Sequence, residues 1–109
     1  MIYPLAYSTW GKEELDAIQR VIDTDMYTMG KHVKQFESEF AELFGSENAV
    51  MVNSGSSANL LMLSLLKWKY KLTGDIICPV VGWATTYFPM AQNGFKINFV
   101  DVDPNTWNI

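Results

Sequence analysis

The sequence predicts an α/β protein with a parallel-type sheet. From residue 48 onward, short apolar runs alternate with helical patterns, in the order strand, helix, strand, helix, strand. Such alternation is typical of parallel strands that are joined by right-handed crossover helices. The chain has 109 residues, of which 49% are hydrophobic, and this is enough for a packed core in one domain.

Two amphipathic helices are predicted before the first strand. From Lys12 to about Asp23, apolar residues recur at helical spacing, and acids occupy the first turn, where the helix dipole favours them. A loop over 24–31 follows. A second helix then presents one apolar stripe, and we expect it to end at Gly45, a residue suited to the left-handed conformation after a helix. The stripe consists of Val33, Phe36, Phe40, Leu43 and Phe44.

The remaining elements follow in order along the chain. They are a buried strand over 48–52, a helix over about 57–71, a strand over 75–79, a helix over about 84–92 closed by Asn93-Gly94, and a strand over 95–101. We expect Pro89 in the first turn of its helix, with Thr85 or Thr86 as the N-cap, because a missing N–H costs little there.

The helix over 57–71 is apolar around nearly its whole circumference. A helix of this kind must be covered on more than one side. Three parallel strands would also leave sheet edges and faces without cover. We therefore expect this chain to be the N-terminal piece of a larger α/β protein.

Charge and cysteine content exclude several classes of function. The net charge is −4 and the eight basic residues are scattered, so neither nucleic acid nor an anionic membrane is an expected partner. No basic leader and no apolar segment long enough to cross a membrane occurs, and we expect a cytoplasmic protein. Cys78 is the only cysteine and is expected to be a buried apolar residue. We predict no intramolecular disulfide and no metal site.

The turn Ser54-Gly55-Ser56-Ser57 is the first candidate binding site. It joins an apolar strand-like run to the start of a helix, where free backbone N–H groups and the helix dipole attract an anion. Gly55 leaves the approach open, and Ser56 and Ser57 add hydroxyl donors. The alternative is a serine N-cap on an ordinary helix.

The loop after the strand over 75–79 is the second candidate. Ligands of open parallel sheets bind beyond the carboxyl ends of the strands, and this loop brings Trp83 to that edge beside the hydroxyls of Thr85 and Thr86. Trp83 could stack on a flat ring or simply cover the core. Asp101 and Asp103 end the last strand; they could face the same crevice, but we expect them to begin a turn.

Several short motifs, in order, resemble a known family. They are Thr28-Met29-Gly30-Lys31, Phe36-Glu37, Asn53 to Leu61, Pro79 to Thr86, Asn93-Gly94 and Phe99 to Asp103. Their combination is similar to the start of the DegT/StrS sugar-nucleotide aminotransferases, which are fold type I pyridoxal-phosphate enzymes. The sequence of residues 54–61 is particularly similar to the branch that includes the CDP-4-keto-6-deoxyhexose 3-dehydrase.

The resemblance implies a fold, a cofactor and a set of contacts. It implies the N-terminal portion of an aspartate aminotransferase-like large domain, a three-layer αβα arrangement. Pyridoxal 5'-phosphate would rest its phosphate on Gly55, Ser56 and Ser57 and its ring under Trp83. Residues 1–32 would form an N-terminal helix and a substrate-side loop, and 33–109 the start of the cofactor-binding core. The implied substrate contacts are Tyr27, Thr28 and Gly30.

The family's catalytic residues are not expected within this chain. The aspartate that pairs with the pyridine nitrogen, and the lysine that binds the cofactor (a histidine in the dehydrase), both come after the region equivalent to Ile109. Lysines 67, 69 and 71 end a helix whose start forms the phosphate turn, so they lie roughly 15–20 Å away. Lys31, beside the loop glycine, is the one lysine that could approach the pocket, but we expect Lys31 and His32 to be loop and helix-cap residues.

Three functions are compatible with these features. The first is the cofactor-anchoring part of an aminotransferase that acts on a nucleotide-linked keto-sugar in cell-surface polysaccharide or deoxyaminosugar biosynthesis. Glutamate would be its amino donor, the full-length protein would be a homodimer, and a 3-dehydrase of the same family is the alternative. The second is a non-enzymatic α/β module that binds phosphate or nucleotide. The third is an assembly module that uses Trp10, Trp68 and the leucine-rich helix as a contact surface.

Overall fold

The chain folds into two compact units. The structure is a computed structural model, and it describes Pro4 and residues 6–109. The first unit ends at Met51 and the second spans Val52–Ile109. This boundary does not coincide with residue 32, and the predicted division of roles at residue 32 stays a prediction. Each unit is described by itself.

The first unit contains the two predicted amphipathic helices. Helix α1 spans Lys12–Ile22, and its N-cap Gly11 donates its N–H to the Glu14 carboxylate at 2.7 Å. Helix α2 spans Lys31–Phe44. It ends at Gly45, which adopts φ 64°, and the Ser46 N–H returns to the Ala41 carbonyl at 2.9 Å. This is the Schellman ending that the sequence predicts.

The strand predicted over 48–52 does not form among the described residues, and that prediction is wrong. The segment has no backbone hydrogen bond to a neighbouring strand, and the Met51 N–H instead donates to the Glu37 carboxylate at 2.8 Å. Val50 is 70% exposed. An apolar run supplies side chains for a sheet but not the backbone partner that a ladder requires.

The second unit is a strand–helix–strand motif with a further helix before it. Helix α3 spans Gly55–Trp68, strand β1 Asp75–Pro79, helix α4 Ala84–Gln92, and strand β2 Lys96–Val100. The strands pair in parallel, with Cys78 opposite Phe99. Helix α4 packs against both α3 and β2. Cys78 is buried, as predicted.

The start of α4 differs from the prediction. Its N-cap is Trp83, with φ −84° and ψ 139°, rather than Thr85 or Thr86. Pro89 is consequently the sixth residue of the helix and is buried. The prediction that Pro89 lies in the first turn is therefore wrong, and its missing N–H leaves the Thr85 carbonyl without its helical donor. The helix ends at Asn93-Gly94 as predicted, with Gly94 at φ 70°.

Large apolar side chains remain exposed on both units. Among the described residues, the buried apolar side chains are Ala41, Cys78 and Pro89. Along α3 the exposed ones include Leu61 at 52% and Met62 at 56%. These faces fit the expectation that further chain covers this helix in a larger protein.

We predict that the 109-residue chain, expressed alone, self-associates. Exposed leucines on α3 and a two-stranded sheet with open edges favour contact between copies. Sedimentation velocity at tens of micromolar, on the order of the concentrations at which exposed apolar surface causes association, measures this. A compact monomer across that range would contradict the prediction.

The described residues contain no helix long and apolar enough to cross a membrane. The cytoplasmic location stays a prediction.

Candidate functional site

A short network of side-chain hydrogen bonds caps the N-terminus of α3. Ser54 is the N-cap, and its hydroxyl oxygen accepts the Ser57 N–H at 3.1 Å. The Ser57 hydroxyl donates to Asn53 Oδ1 at 2.6 Å and accepts from the Ser54 hydroxyl at 3.2 Å. Ser54 therefore acts as the N-cap that the alternative interpretation requires, and this cap fixes the geometry of the turn.

Capping leaves donors free in the first turn of α3. In the part of the chain that the structure describes, the N–H groups of Gly55 and Ser56 and the Ser56 hydroxyl have no hydrogen-bond partner. A Cβ added at Gly55 would meet nothing within 4 Å, so the approach is open. These donors lie at the positive end of the helix dipole and suit a phosphate. The Ser57 hydroxyl would first have to leave Asn53.

A cleft lies between the start of α3 and helix α4. Its volume is about 210 Å³, and its α3 side is formed by Ser56, Ser57 and Leu60. Its α4 side is formed by Thr85, Phe88, Pro89 and Gln92. The structure thus brings two of the predicted phosphate ligands together with one side of α4.

Trp83 precedes α4 and does not line this cleft among the described residues. Its side chain is 68% exposed. The loop before it is fixed by Tyr87, whose hydroxyl donates to the Gly82 carbonyl at 3.1 Å and whose ring packs edge-on against Phe99 at 5.3 Å. The backbone of Trp83 is therefore held in place while its indole remains available to a flat ligand.

The predicted substrate contacts line a second cleft, in the first unit. Tyr27, Thr28 and Gly30 border a mostly apolar volume of about 460 Å³, together with Lys31 and His32. Tyr27 is 68% exposed, and its hydroxyl donates to the Ile22 carbonyl at 3.4 Å. The structure brings these three residues together and adds one lysine and the chain's only histidine beside them.

Three exposed carboxylates have lowered pKa values. A hydrogen bond from the Lys96 ammonium, followed by one from Asn98, lowers the pKa of Asp75 at the amino end of the strand pair. The Asn105 and Thr106 N–H groups lower the pKa of Asp103, which begins the turn that the sequence predicts. The remaining case is Glu14, whose pKa is lowered by the Gly11 N–H. These charges stabilise local structure, and none lines the α3–α4 cleft.

Two polar residues of this region were not among the site residues predicted from the sequence. They are Asn53, which accepts from Ser57, and Asn59, whose side-chain amide donates to the Thr85 carbonyl at 3.2 Å. Thr85, predicted beside Trp83, lines the cleft. No local pattern indicates the role of Asn59, because the sequence predicts Pro89 in the first turn of its helix, where a missing N–H needs no replacement.

The start of α3 offers free N–H donors, and Trp83 lies exposed in the loop that joins the carboxyl end of β1 to α4. Together they form a candidate site for a flat, phosphorylated cofactor. The comparison with known families is consistent with this class. Residues 8–109 match the model of the DegT/DnrJ/EryC1/StrS aminotransferase family, and the chain belongs to that family.

Relatives within the family carry out two different reactions. The chain is 55% identical to a GDP-4-keto-6-deoxy-D-mannose 3-dehydratase of Yersinia pseudotuberculosis, over 98% of the chain. It is 34% identical to a dTDP-4-dehydro-2,3,6-trideoxy-D-glucose 4-aminotransferase of Saccharopolyspora spinosa, over 90% of the chain. A solved GDP-4-keto-6-deoxymannose 3-dehydratase with a trapped PLP-glutamate geminal diamine is 55% identical and superposes with a TM-score of 0.84 over 99% of the chain.

The chain covers only part of these relatives. It spans 28% of the Yersinia protein and 29% of the solved dehydratase. The likeness confirms the predicted fold class, the N-terminal portion of the fold type I large domain, and the predicted resemblance to the dehydrase branch.

Proposed function

We propose that the protein containing this chain is a pyridoxal-phosphate enzyme that removes the C3 hydroxyl from a GDP-linked 4-keto-6-deoxyhexose. The observation that carries the proposal is the difference in identity between relatives, 55% to the 3-dehydratase against 34% to the 4-aminotransferase. This favours the dehydrase alternative over the aminotransferase, which is the broader expectation from the sequence.

Pyridoxal 5'-phosphate fits the residues at the start of α3. The N–H groups of Gly55 and Ser56, with the Ser56 hydroxyl, would hold the phosphate, and the Ser57 hydroxyl would join them after turning from Asn53. Trp83 would lie against the ring. When bound, the cofactor supplies an electron sink for bond cleavage next to the keto carbon.

The role of this chain is to anchor the cofactor and to orient the nucleotide-linked sugar. The cleft bordered by Tyr27, Thr28 and Gly30 is mostly apolar, with Lys31 at its margin, and suits the flat base and charged phosphates of a nucleotide. Glutamate would be the second substrate, since the solved dehydratase holds a PLP-glutamate adduct. A homodimer is proposed for the full-length protein, in which further surface would cover the exposed apolar faces.

The aminotransferase is the second candidate. It is favoured by the family model and by the 34% identity to the 4-aminotransferase, and it would use the same cofactor turn. The two reactions differ in what happens to the sugar. An aminotransferase places an amino group where the keto oxygen was, whereas a dehydrase keeps the keto group and loses the C3 oxygen.

Product analysis tests the proposal and separates the candidates. The full-length protein is incubated with GDP-4-keto-6-deoxymannose, pyridoxal phosphate and glutamate, and products are analysed by mass spectrometry and ammonia release. We expect a sugar nucleotide one oxygen atom lighter. The overall reaction converts the sugar nucleotide and glutamate to the 3-deoxy sugar nucleotide, 2-oxoglutarate and ammonia. Glutamate supplies the two electrons that replace the C3 hydroxyl by hydrogen, and there is no net gain or loss of water. An amino sugar without ammonia would assign the aminotransferase, and an unchanged sugar would contradict both.

Trp83→Ala is expected to weaken retention of the cofactor by about 0.5–1.5 kcal/mol, the usual worth of an aromatic pair beyond its burial. Trp83→Phe keeps an aromatic face and is the matched control. The readout is the cofactor absorbance that remains with the protein after dialysis. Equal retention in the alanine and phenylalanine variants would contradict stacking at this position.

A further inference from the structure

A proline in the middle of α4 leaves one helical carbonyl without its usual donor. In a regular helix the N–H of residue 89 would donate to the carbonyl of Thr85, but Pro89 has no N–H. The Asn59 side chain, from α3, donates to that carbonyl at 3.2 Å across the packed helices. Asn59 and Thr85 are both half-buried, so an unpaired carbonyl there would be poorly solvated.

This contact joins the two segments that the candidate site needs. Asn59 lies one helical turn after Ser56, on the same side of α3, and Thr85 lies two residues after Trp83. Ser56 and Thr85 both line the α3–α4 cleft. A side chain fixed between the two helix starts sets the distance from the phosphate turn to the aromatic loop.

We propose that Asn59 is a positioning residue that replaces the N–H missing from Pro89 and holds the start of α4 against the phosphate turn. The inference rests on the proposed function, because it assigns Asn59 to the cofactor site without giving it contact with the cofactor. Its consequence is that the effect of losing Asn59 depends on whether residue 89 is proline.

A second polar contact between the same helices provides a matched control. The Ser64 hydroxyl donates to Asn93 Oδ1 at 3.1 Å, near the far ends of α3 and α4. The Asn93 amide in turn donates to the Pro89 carbonyl at 2.9 Å. Ser64→Ala removes one hydrogen bond between the helices but leaves the Thr85 carbonyl satisfied.

The experiment compares four variants of the full-length protein: Asn59→Leu, Pro89→Ala, the double variant and Ser64→Ala. The dissociation constant for pyridoxal phosphate is measured by absorbance titration, and the unfolding temperature of the cofactor-free protein is measured separately. Asn59→Leu should raise the dissociation constant about two- to tenfold, the usual value of one lost hydrogen bond. In the double variant the Pro89→Ala change restores a backbone N–H that can donate to the Thr85 carbonyl. Both quantities should therefore return toward those of Pro89→Ala alone.

Ser64→Ala should lower the unfolding temperature with little change in cofactor affinity. An Asn59→Leu variant that loses stability but binds the cofactor normally would overturn the positioning role. So would a double variant that is no better than Asn59→Leu. If the proline variants do not accumulate, the cofactor affinities of Asn59→Leu and Ser64→Ala are compared. Equal effects of the two substitutions on cofactor affinity would overturn the proposal. Failure of the unaltered protein to bind pyridoxal phosphate would instead contradict the proposed function.

Discussion

Ser56→Asp in the full-length protein is expected to raise the dissociation constant for pyridoxal phosphate by roughly thirtyfold, or about 2 kcal/mol. The substitution places a carboxylate at the start of α3, where the free N–H groups of Gly55 and Ser56 would receive the phosphate. Two unit charges about 4 Å apart near a protein surface repel by roughly 4 kcal/mol, and solvent and salt screen part of this.

Ser56→Asn is the matched control for this charge. Asparagine has nearly the same size as aspartate but is neutral, so it removes the serine hydroxyl without adding repulsion. We expect its effect to be that of one hydrogen bond, about 1 kcal/mol. Absorbance titration of the cofactor-free protein measures both variants. Similar affinities for the aspartate and asparagine variants would show that no phosphate sits beside residue 56.

The 109-residue chain alone is expected to give no turnover with a nucleotide-linked keto-sugar and glutamate. The family resemblance puts the cofactor-binding lysine or histidine after the region equivalent to Ile109. Within the second unit, Lys67 lies over the Phe95 ring at 4.7 Å, near the far end of α3 from the phosphate turn. Lys96 pairs with Asp75 at the amino ends of the strands.

The measurement is formation of 2-oxoglutarate and of a modified sugar nucleotide, with the full-length protein as positive control under identical conditions. Equal cofactor and substrate concentrations in both reactions make the comparison direct. Keto-sugar-dependent 2-oxoglutarate formation by the isolated chain would contradict the assignment of catalysis to later residues.

Local signals in the sequence predict most of the helices and the strand pair. Helix α2 ends where Gly45 can take the left-handed conformation, and α4 ends in the same way at Gly94. These endings depend on neighbouring residues alone. The strand predicted over 48–52 failed because a ladder needs a partner, which no local pattern supplies.

In the candidate site, too, residues set by local sequence could be predicted, whereas contacts set by helix packing could not. Gly55 and Ser56 could be identified because a helix start offers its donors wherever the helix packs. The contact from Asn59 to Thr85 could not, since it joins residues 26 positions apart and depends on how α3 packs against α4. The position of Pro89 within its helix was also mispredicted. The N-cap of the helix is Trp83, two to three residues earlier than the sequence predicts, and this makes Pro89 the sixth residue of the helix.

We propose that the turn at Gly55 and Ser56 receives the cofactor phosphate, and the chemical shift of the Gly55 amide reports directly on such a contact. The full-length protein is labelled with isotopic nitrogen in glycine and titrated with pyridoxal phosphate, and with pyridoxal, which lacks the phosphate. We predict a large downfield shift of the Gly55 amide with pyridoxal phosphate and a much smaller one with pyridoxal. An unchanged Gly55 amide shift in protein that has bound pyridoxal phosphate would show that the phosphate lies elsewhere.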